Sequence, residues 1–325
     1  MDLPAHVPLV VTTRGGEPEC VHYGSIAVVD GDGRRVAGAG DPGALNFTRS
    51  ALKPFQALPF VEDGGMAQFG FGSHELALMC ASHNAEPLHL GIARGMLARI
   101  GAKAGDLQCG SHPPSIYAAL GRTPPGRKWS ALCHNCSGKH SGFLAWCRLH
   151  GRPLGEYLEP EAPLQQRIRA GLERLLPGTR FARGTDGCSA PNYAMPLEAI
   201  ARLYCRLAVD GELAAQRYAM MRHPDIVSGT ARMDLALMTA GPWVAKGGAA
   251  GLQAIGVPDQ GLGIAVRIAD GNPVAVRAAV VATLQQLGLL GDPAKTPLAS
   301  FADASVRNDR GRVVGRLDAC FVLSS

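Results

Sequence analysis

The sequence predicts a mixed α/β chain: a mostly antiparallel sheet drawn from both chain ends, with a helical middle. Three observations carry this. Residues 7–40 and 261–324 hold apolar runs between turn signals, as strands do. Residues from about 49 to 242 show helical periods, broken by Gly- and Pro-rich loops such as SHPPS at 111–115 and GRTPPGRKW at 121–129. No internal repeat or low-complexity linker intervenes, so the 325 residues read as one domain, with sheet from about 8–48 and 243–325.

The elements follow in order. VPLVVTTRGG is a strand ending in a turn, and HYGSIAVVDGDGRRVAGAG is a strand, a DGDG turn and a return strand. Apolar periodicity then predicts helices over 74–80, 87–100, 138–150, 164–176, 197–209, 213–222 and 231–240. GLGIAVRIADG and RGRVVGRLDACFVLS return to strand, separated by the helical stretch PVAVRAAVVATLQQLGLL.

Composition excludes several classes. The chain is 46% hydrophobic and 18% charged, within the soluble globular range. No apolar run reaches the roughly 18 residues that span a bilayer, so no membrane partner is expected. The net charge of +5 is spread along the chain without a basic run interleaved with aromatics, so no nucleic-acid partner is expected. The N-terminal stretch carries an early Asp2 and no basic region, and a cytoplasmic location is expected. Nine cysteines, several in apolar helical segments, point to a reducing compartment.

Ser50-x-x-Lys53 is the first chemical motif. Residues three apart on a helix share a face, and a neutral lysine there can take the proton of a serine hydroxyl. Fifteen serines and six lysines give roughly 0.3 chance matches in this length, so the motif needs company. Pro54 disfavours a helical Lys53 unless the helix starts at Ser50, which puts the proline in its first turn. CASHNAEP at 80–87 adds Ser82 and Asn84 where a helix breaks into a loop. WVAKGG at 243–248 adds Lys246 at the end of a strand-like run, before two glycines. The order S-x-x-K, S-x-N, K-G-G parallels the S-x-x-K, S-D-N and K-T-G of serine β-lactamases and penicillin-binding enzymes, and with the sheet from both ends it predicts a fold similar to theirs. Taken singly, Lys246 also reads as a solvated strand-end lysine and Ser82 as a polar helix end.

ALCHNCSGKHSGF at 131–143 holds a second constellation. Cys133-x-x-Cys136 suits a redox pair, half a zinc site or a buried thiol pair, and no thioredoxin-type strand precedes it. GTDGCSAPNYAMP at 184–196 offers Cys188 with Asp186 beside it, so Cys136, Lys139, His140 and Cys188 can converge on one cavity.

RSALKP, CASHN-EP, NCSGKH-GF, DGCSAPNYAMPL and KGGAAGLQAIG together resemble the block motifs of the Rhizobium etli-type L-asparaginases, the asparaginase II family, over roughly residues 8–322. The resemblance implies a homodimeric hydrolase releasing ammonia from L-asparagine, on a serine β-lactamase/glutaminase-like fold. It implies Ser50 with Lys53 and Ser82 with Lys246 as catalytic pairs, and zinc on Cys136, Lys139 and Cys188. It places Arg49, His140, Asp186 and Asn84 around the substrate, and leaves Cys133 without a role.

The chemistry this implies is acyl transfer, with Ser50 attacking the carboxamide, Lys53 as base, and Ser82 with Lys246 returning a proton to the ammonia. A glutaminase or another serine amidohydrolase is the nearest alternative, since one methylene is worth only about 1–3 kcal/mol of discrimination. A zinc-binding or thiol redox-sensing protein is the alternative from another class.

Overall fold

The computed structural model describes residues 3–324, and the chain forms two compact units. One, the sheet unit, takes residues up to Ala51, Met195–Val209 and Ala236 onward; the other, the helical unit, takes Leu52–Ala194 and Asp210–Leu235. Sheet from both ends and helices between are as the sequence predicts.

The sheet unit contains β1 (Val7–Arg14), β2 (Glu17–Val29), β3 (Arg35–Ala39), β4 (Val244–Gly248), β5 (Leu252–Val257), β6 (Leu262–Ile268), β7 (Ser305–Arg307) and β8 (Val313–Ala319). The strand order is β7-β8-β1-β2-β6-β5-β4, with β3 also on β2, and every pairing is antiparallel. β1 and β2 join through Gly15 and Gly16, both at positive φ, the two-residue turn whose twist suits a hairpin. β2 begins five residues earlier than its apolar run suggests, because EPECV pairs with β1 while staying exposed. Its far half, Gly24–Val29, is buried, and side chains such as Ile26 contribute about 1.5–3 kcal/mol each by leaving water.

The helix Leu197–Val209 belongs to this unit although the sequence places it in the helical stretch. It packs on β2, β5 and β6 at close range. A Cβ on Gly263 or Gly256 would stand 2.0 Å from the Ala201 carbonyl or 2.3 Å from that of Tyr204. Two strand glycines therefore admit one helix. Pro273–Gln286 begins where Asn272 Oδ1 accepts from the Val274 and Ala275 amides, with Pro273 in the first turn, where its missing N–H costs nothing.

In the helical unit, Ser137–Leu149 packs against Ser73–Met79 and Pro87–Arg99. Gly138 is the reason it can. A Cβ there would meet the Leu78 carbonyl oxygen at 2.2 Å. The small residues of SGKHSG thus seat the helix whose first turn carries Lys139 and His140. Among the described residues no helix is long and apolar enough to cross a membrane.

Candidate active site

Lys53 opens the short helix Lys53–Gln56, preceded by a 3-10 turn over Arg49–Leu52. Pro54 sits in the helix's first turn, so the Lys53-Pro54 conflict is resolved by starting the α-helix at Lys53 rather than at Ser50. The lysine is fully buried. Its Nζ donates to the Ala81 carbonyl at short range, lies 3.4 Å from the Asn135 carbonyl and 2.9 Å from Ser82 Oγ. Two of three donor positions are thus aimed at carbonyls, which only accept. The third faces a hydroxyl, which can give a proton or take one.

Ser82 lies on the loop that follows Ser73–Met79, as the sequence predicts, and the loop is pinned at both ends. The Ser82 amide donates to the Val227 carbonyl at 2.9 Å and that of His83 to the Asn135 carbonyl at 3.2 Å. His83 Nδ1 accepts from the Ala85 amide at 3.0 Å, so Nε2 carries the proton and donates to Ser137 Oγ at 2.9 Å. Burial holds the imidazole well below its ordinary range, hence neutral. Asn84 is buried, donating through Nδ2 to Thr230 O at 2.8 Å and Glu86 Oε1 at 3.2 Å, while its Oδ1 has no partner.

The thiol cluster assembles beside this loop. Cys136 stands at the N-terminus of Ser137–Leu149, and Cys188 lies in the turn between strands Ala182–Thr185 and Pro191–Pro196. Lys139 Nζ is 3.0 Å from Cys188 Sγ. A hydrogen bond from Cys188, with Lys53 and Lys139 nearby, holds Cys136 well below the thiol range, while the same bond and burial raise Cys188. Burial would lower Lys139, but Cys188, Cys136 and Asp186 outweigh it and raise it. Asp186 Oδ2 is 3.8 Å from Cys188 Sγ. Lys53, Ser82, Cys136, Lys139, His140, Asp186 and Cys188 therefore form one cluster inside the helical unit.

His140 is buried, and burial takes it down to about 4. Its Nδ1 is 2.8 Å from Tyr157 Oη, and the ring's other hydrogen-bond neighbour is Cys188. Neither Tyr157 nor the His83–Ser137 pair stands out in the sequence. His134, whose Nδ1 accepts from the Cys136 amide at 3.0 Å, is a third neighbour the motifs leave unassigned. The C-x-x-C does not act as a pair: the sulfur partner of Cys136 is Cys188.

The remaining candidates belong to the sheet unit. Ser50 is half-buried in the 3-10 turn, and Arg49 beside it holds a left-handed φ of 47°. Lys246 is buried in the edge strand β4, with Nζ 3.1 Å from the Gly247 carbonyl. Gly248 brings that strand against the Ser50 segment, since a Cβ there would reach Thr48 O at 2.7 Å.

As for a metal, Cys136, Lys139 and Cys188 bring two sulfurs and a nitrogen together. Among the described residues no group of three His, Cys, Asp or Glu side chains could hold a metal ion. These residues would hold a zinc ion only with Lys139 deprotonated, since an ammonium has no lone pair to give.

Known proteins add the following. Solved structures of Mglu in its native form and in its tris and glutamate form are similar at 18% identity, with TM-scores of 0.38 and 0.37. These cover 83% of this chain and 65% and 61% of Mglu, so the chain spans less than two thirds of that protein's length. A β-lactamase from Mycobacterium bovis is similar at 14% identity over 80% of this chain and 94% of that one, with a TM-score of 0.30. No curated protein matches. The sequence matches the family described as L-asparaginase II over residues 10–319, nearly the whole length, and the chain belongs to that family.

Proposed function

We propose that the protein is an L-asparaginase of the Rhizobium etli type, a cytoplasmic homodimer that hydrolyses L-asparagine to L-aspartate and ammonia by serine acyl transfer. Membership of the L-asparaginase II family supports the amidohydrolase class. The observation that carries the acyl-transfer reading is the buried Lys53–Ser82 hydrogen bond, with two carbonyls fixing the other donor positions of the lysine.

In this reading Ser50 attacks the carboxamide carbon and neutral Lys53 takes its proton. Lys53 passes that proton through Ser82 to the departing ammonia, as general acid catalysis requires. Lys246 assists the transfer, and water then hydrolyses the β-aspartyl ester. Arg49, Asn84, His140 and Asp186 hold the substrate. Asn84 Oδ1, buried without a partner, suits an N–H donor such as the α-ammonium. Cys136, Lys139 and Cys188 would hold a zinc ion, which would neutralise the thiolates.

One observation favours a second reading of the nucleophile: Ser82, not Ser50, faces the mobile-proton position of Lys53. The test is ammonia release from L-asparagine, with L-glutamine alongside, by wild type, Ser50→Ala and Ser82→Ala, combined with acid quenching and peptide mass analysis. A β-aspartyl adduct on the Ser50 peptide supports the first reading and one on the Ser82 peptide the second. No release from either substrate sinks the amidohydrolase and leaves the zinc or thiol protein standing.

A further inference from the structure

The helical unit carries an open cavity of about 500 Å³, walled in part by the strand and turn that lead to Cys188. Its volume lies within the roughly 300–1,000 Å³ of small-molecule sites. Five of its nine wall residues have polar side chains, Gln108, Glu159, Arg183, Thr185 and Ser189, beside one leucine, two prolines and a glycine. The turn is closed by its own backbone: the Ser189 amide donates to the Asp186 carbonyl and the Asp186 amide to the Ala190 carbonyl, each at 2.9 Å. Cys188 is buried in this turn, whereas Thr185 and Ser189 are exposed. One turn thus serves the thiol cluster with one side chain and the cavity with its neighbours.

The charges on the wall decide what fits. Arg183 Nη1 donates to Glu161 Oε1 at 2.6 Å, which uses one of the five guanidinium N–H donors and leaves the rest. Glu159 is exposed and makes no ion pair among the described residues. Gln108 Nε2 donates to the Gly155 carbonyl at 2.8 Å, which leaves its Oε1 as a second acceptor. A plain anion meets Glu159 and a guanidinium already paired, and a plain cation meets Arg183. An apolar molecule would dehydrate five polar side chains without replacing their hydrogen bonds. A dipolar molecule satisfies both signs at once, through charge-assisted hydrogen bonds at each end. We propose that this cavity is a second small-molecule site, separate from the candidate catalytic cluster, and that it takes a free α-amino acid with its carboxylate on Arg183 and its ammonium on Glu159. The site does not rest on the L-asparaginase reading.

The experiment is titration calorimetry with L-alanine, which is neither substrate nor product of the proposed reaction, on wild type, Arg183→Met and Glu159→Gln. Propionate, which lacks the ammonium, and ethylamine, which lacks the carboxylate, are run alongside, and circular dichroism checks the fold. L-alanine should bind the wild type and lose about 10- to 100-fold in affinity in each variant, the scale of one hydrogen bond to a charged group. Each half-ligand should bind the wild type at least about 10-fold more weakly than L-alanine. Ammonia release from L-asparagine, with no L-alanine present, should stay within about two-fold of wild type in both variants. The proposal is overturned by a wild type that does not bind L-alanine, by unchanged binding in the folded variants, or by propionate or ethylamine binding as well as L-alanine. A larger fall in ammonia release would overturn it too, by assigning these residues to the catalytic site. A wild type that binds L-alanine in the expected pattern but releases no ammonia upholds the cavity's role while removing the asparaginase reading.

Discussion

Lys53 Nζ stands 2.9 Å from Ser82 Oγ, although 29 residues of chain separate them, and the carbonyls of Ala81 and Asn135 hold the amine from its other sides. Cys136 is a further neighbour of the same amine. Lys53→Met keeps the volume and removes the amine, so ammonia release should fall by about 10²–10⁴, the usual contribution of a positioned acid or base. Two carbonyls lose a donor as well, and the midpoint of urea unfolding should drop by an amount equivalent to about 1–3 kcal/mol. Retained turnover in a folded Lys53→Met would remove the Ser–Lys mechanism.

Zinc analysis separates the thiol cluster from the proton-moving pair. We expect about one zinc per chain, by elemental analysis, in protein purified without chelator. Cys136→Ser and Cys188→Ser should lose the metal and weaken turnover, whereas Ser82→Ala should keep the metal while losing turnover. Full occupancy after both cysteine changes would place the ion elsewhere.

Gly138 and Gly142 face the same neighbouring helix with different tolerance. A Cβ on Gly138 meets a backbone carbonyl at 2.2 Å, which cannot move without shifting the Ser73–Met79 helix, whereas one on Gly142 meets the flexible Met79 side chain at 2.9 Å. Gly138→Ala should cost about 1–3 kcal/mol in denaturant unfolding and Gly142→Ala clearly less. Equal costs would mean that the two helices slide apart freely.

Asp63 makes the fold acid-sensitive. Burial pushes its carboxyl up, but hydrogen bonds from Trp146 Nε1 at 2.8 Å, Arg167 at 3.2 Å and His150 at 3.0 Å together hold it below the ordinary carboxylate value. A lowered folded-state pKa means a contribution fully present above the unfolded value, near 4, and lost as the pH falls through the folded one. Asp63 is partly solvated, so Asp63→Asn should cost no more than about 1 kcal/mol at pH 7. It should also flatten the fall in melting temperature below pH 4. An unchanged acid slope would show that other carboxylates set it.

Where the sequence spoke, it spoke through local patterns. The helices Pro87–Arg99, Ser137–Leu149 and Leu197–Val209 begin and end within a residue of their apolar periods, and Ser82 lies on the expected loop. Cys136, Lys139 and Cys188 were nameable because their blocks are distinctive. What stayed hidden depends on distant partners. Strand Ala182–Thr185, ARGT, has no alternation of its own and exists because it pairs with Pro191–Pro196. Tyr157 gives no signal in GEYLEP, since its role comes from Gln108 and His140, 49 and 17 residues away. The turn at Ser50 was read as helix because spacing alone does not distinguish a 3-10 turn from an α-helical one.

In the sheet unit β1 is an inner strand, flanked by β2 on one side and by β8 on the other, with Val10 opposite Ala319. On a translating ribosome β1 and β2 emerge some three hundred residues ahead of β8. Until then one edge of β1 lacks its ladder, and β2 waits likewise for β6. A nascent chain must carry those bare edges until the last strands emerge, which makes β1 and β2 the segments that a holding chaperone would shield and where premature release would begin aggregation.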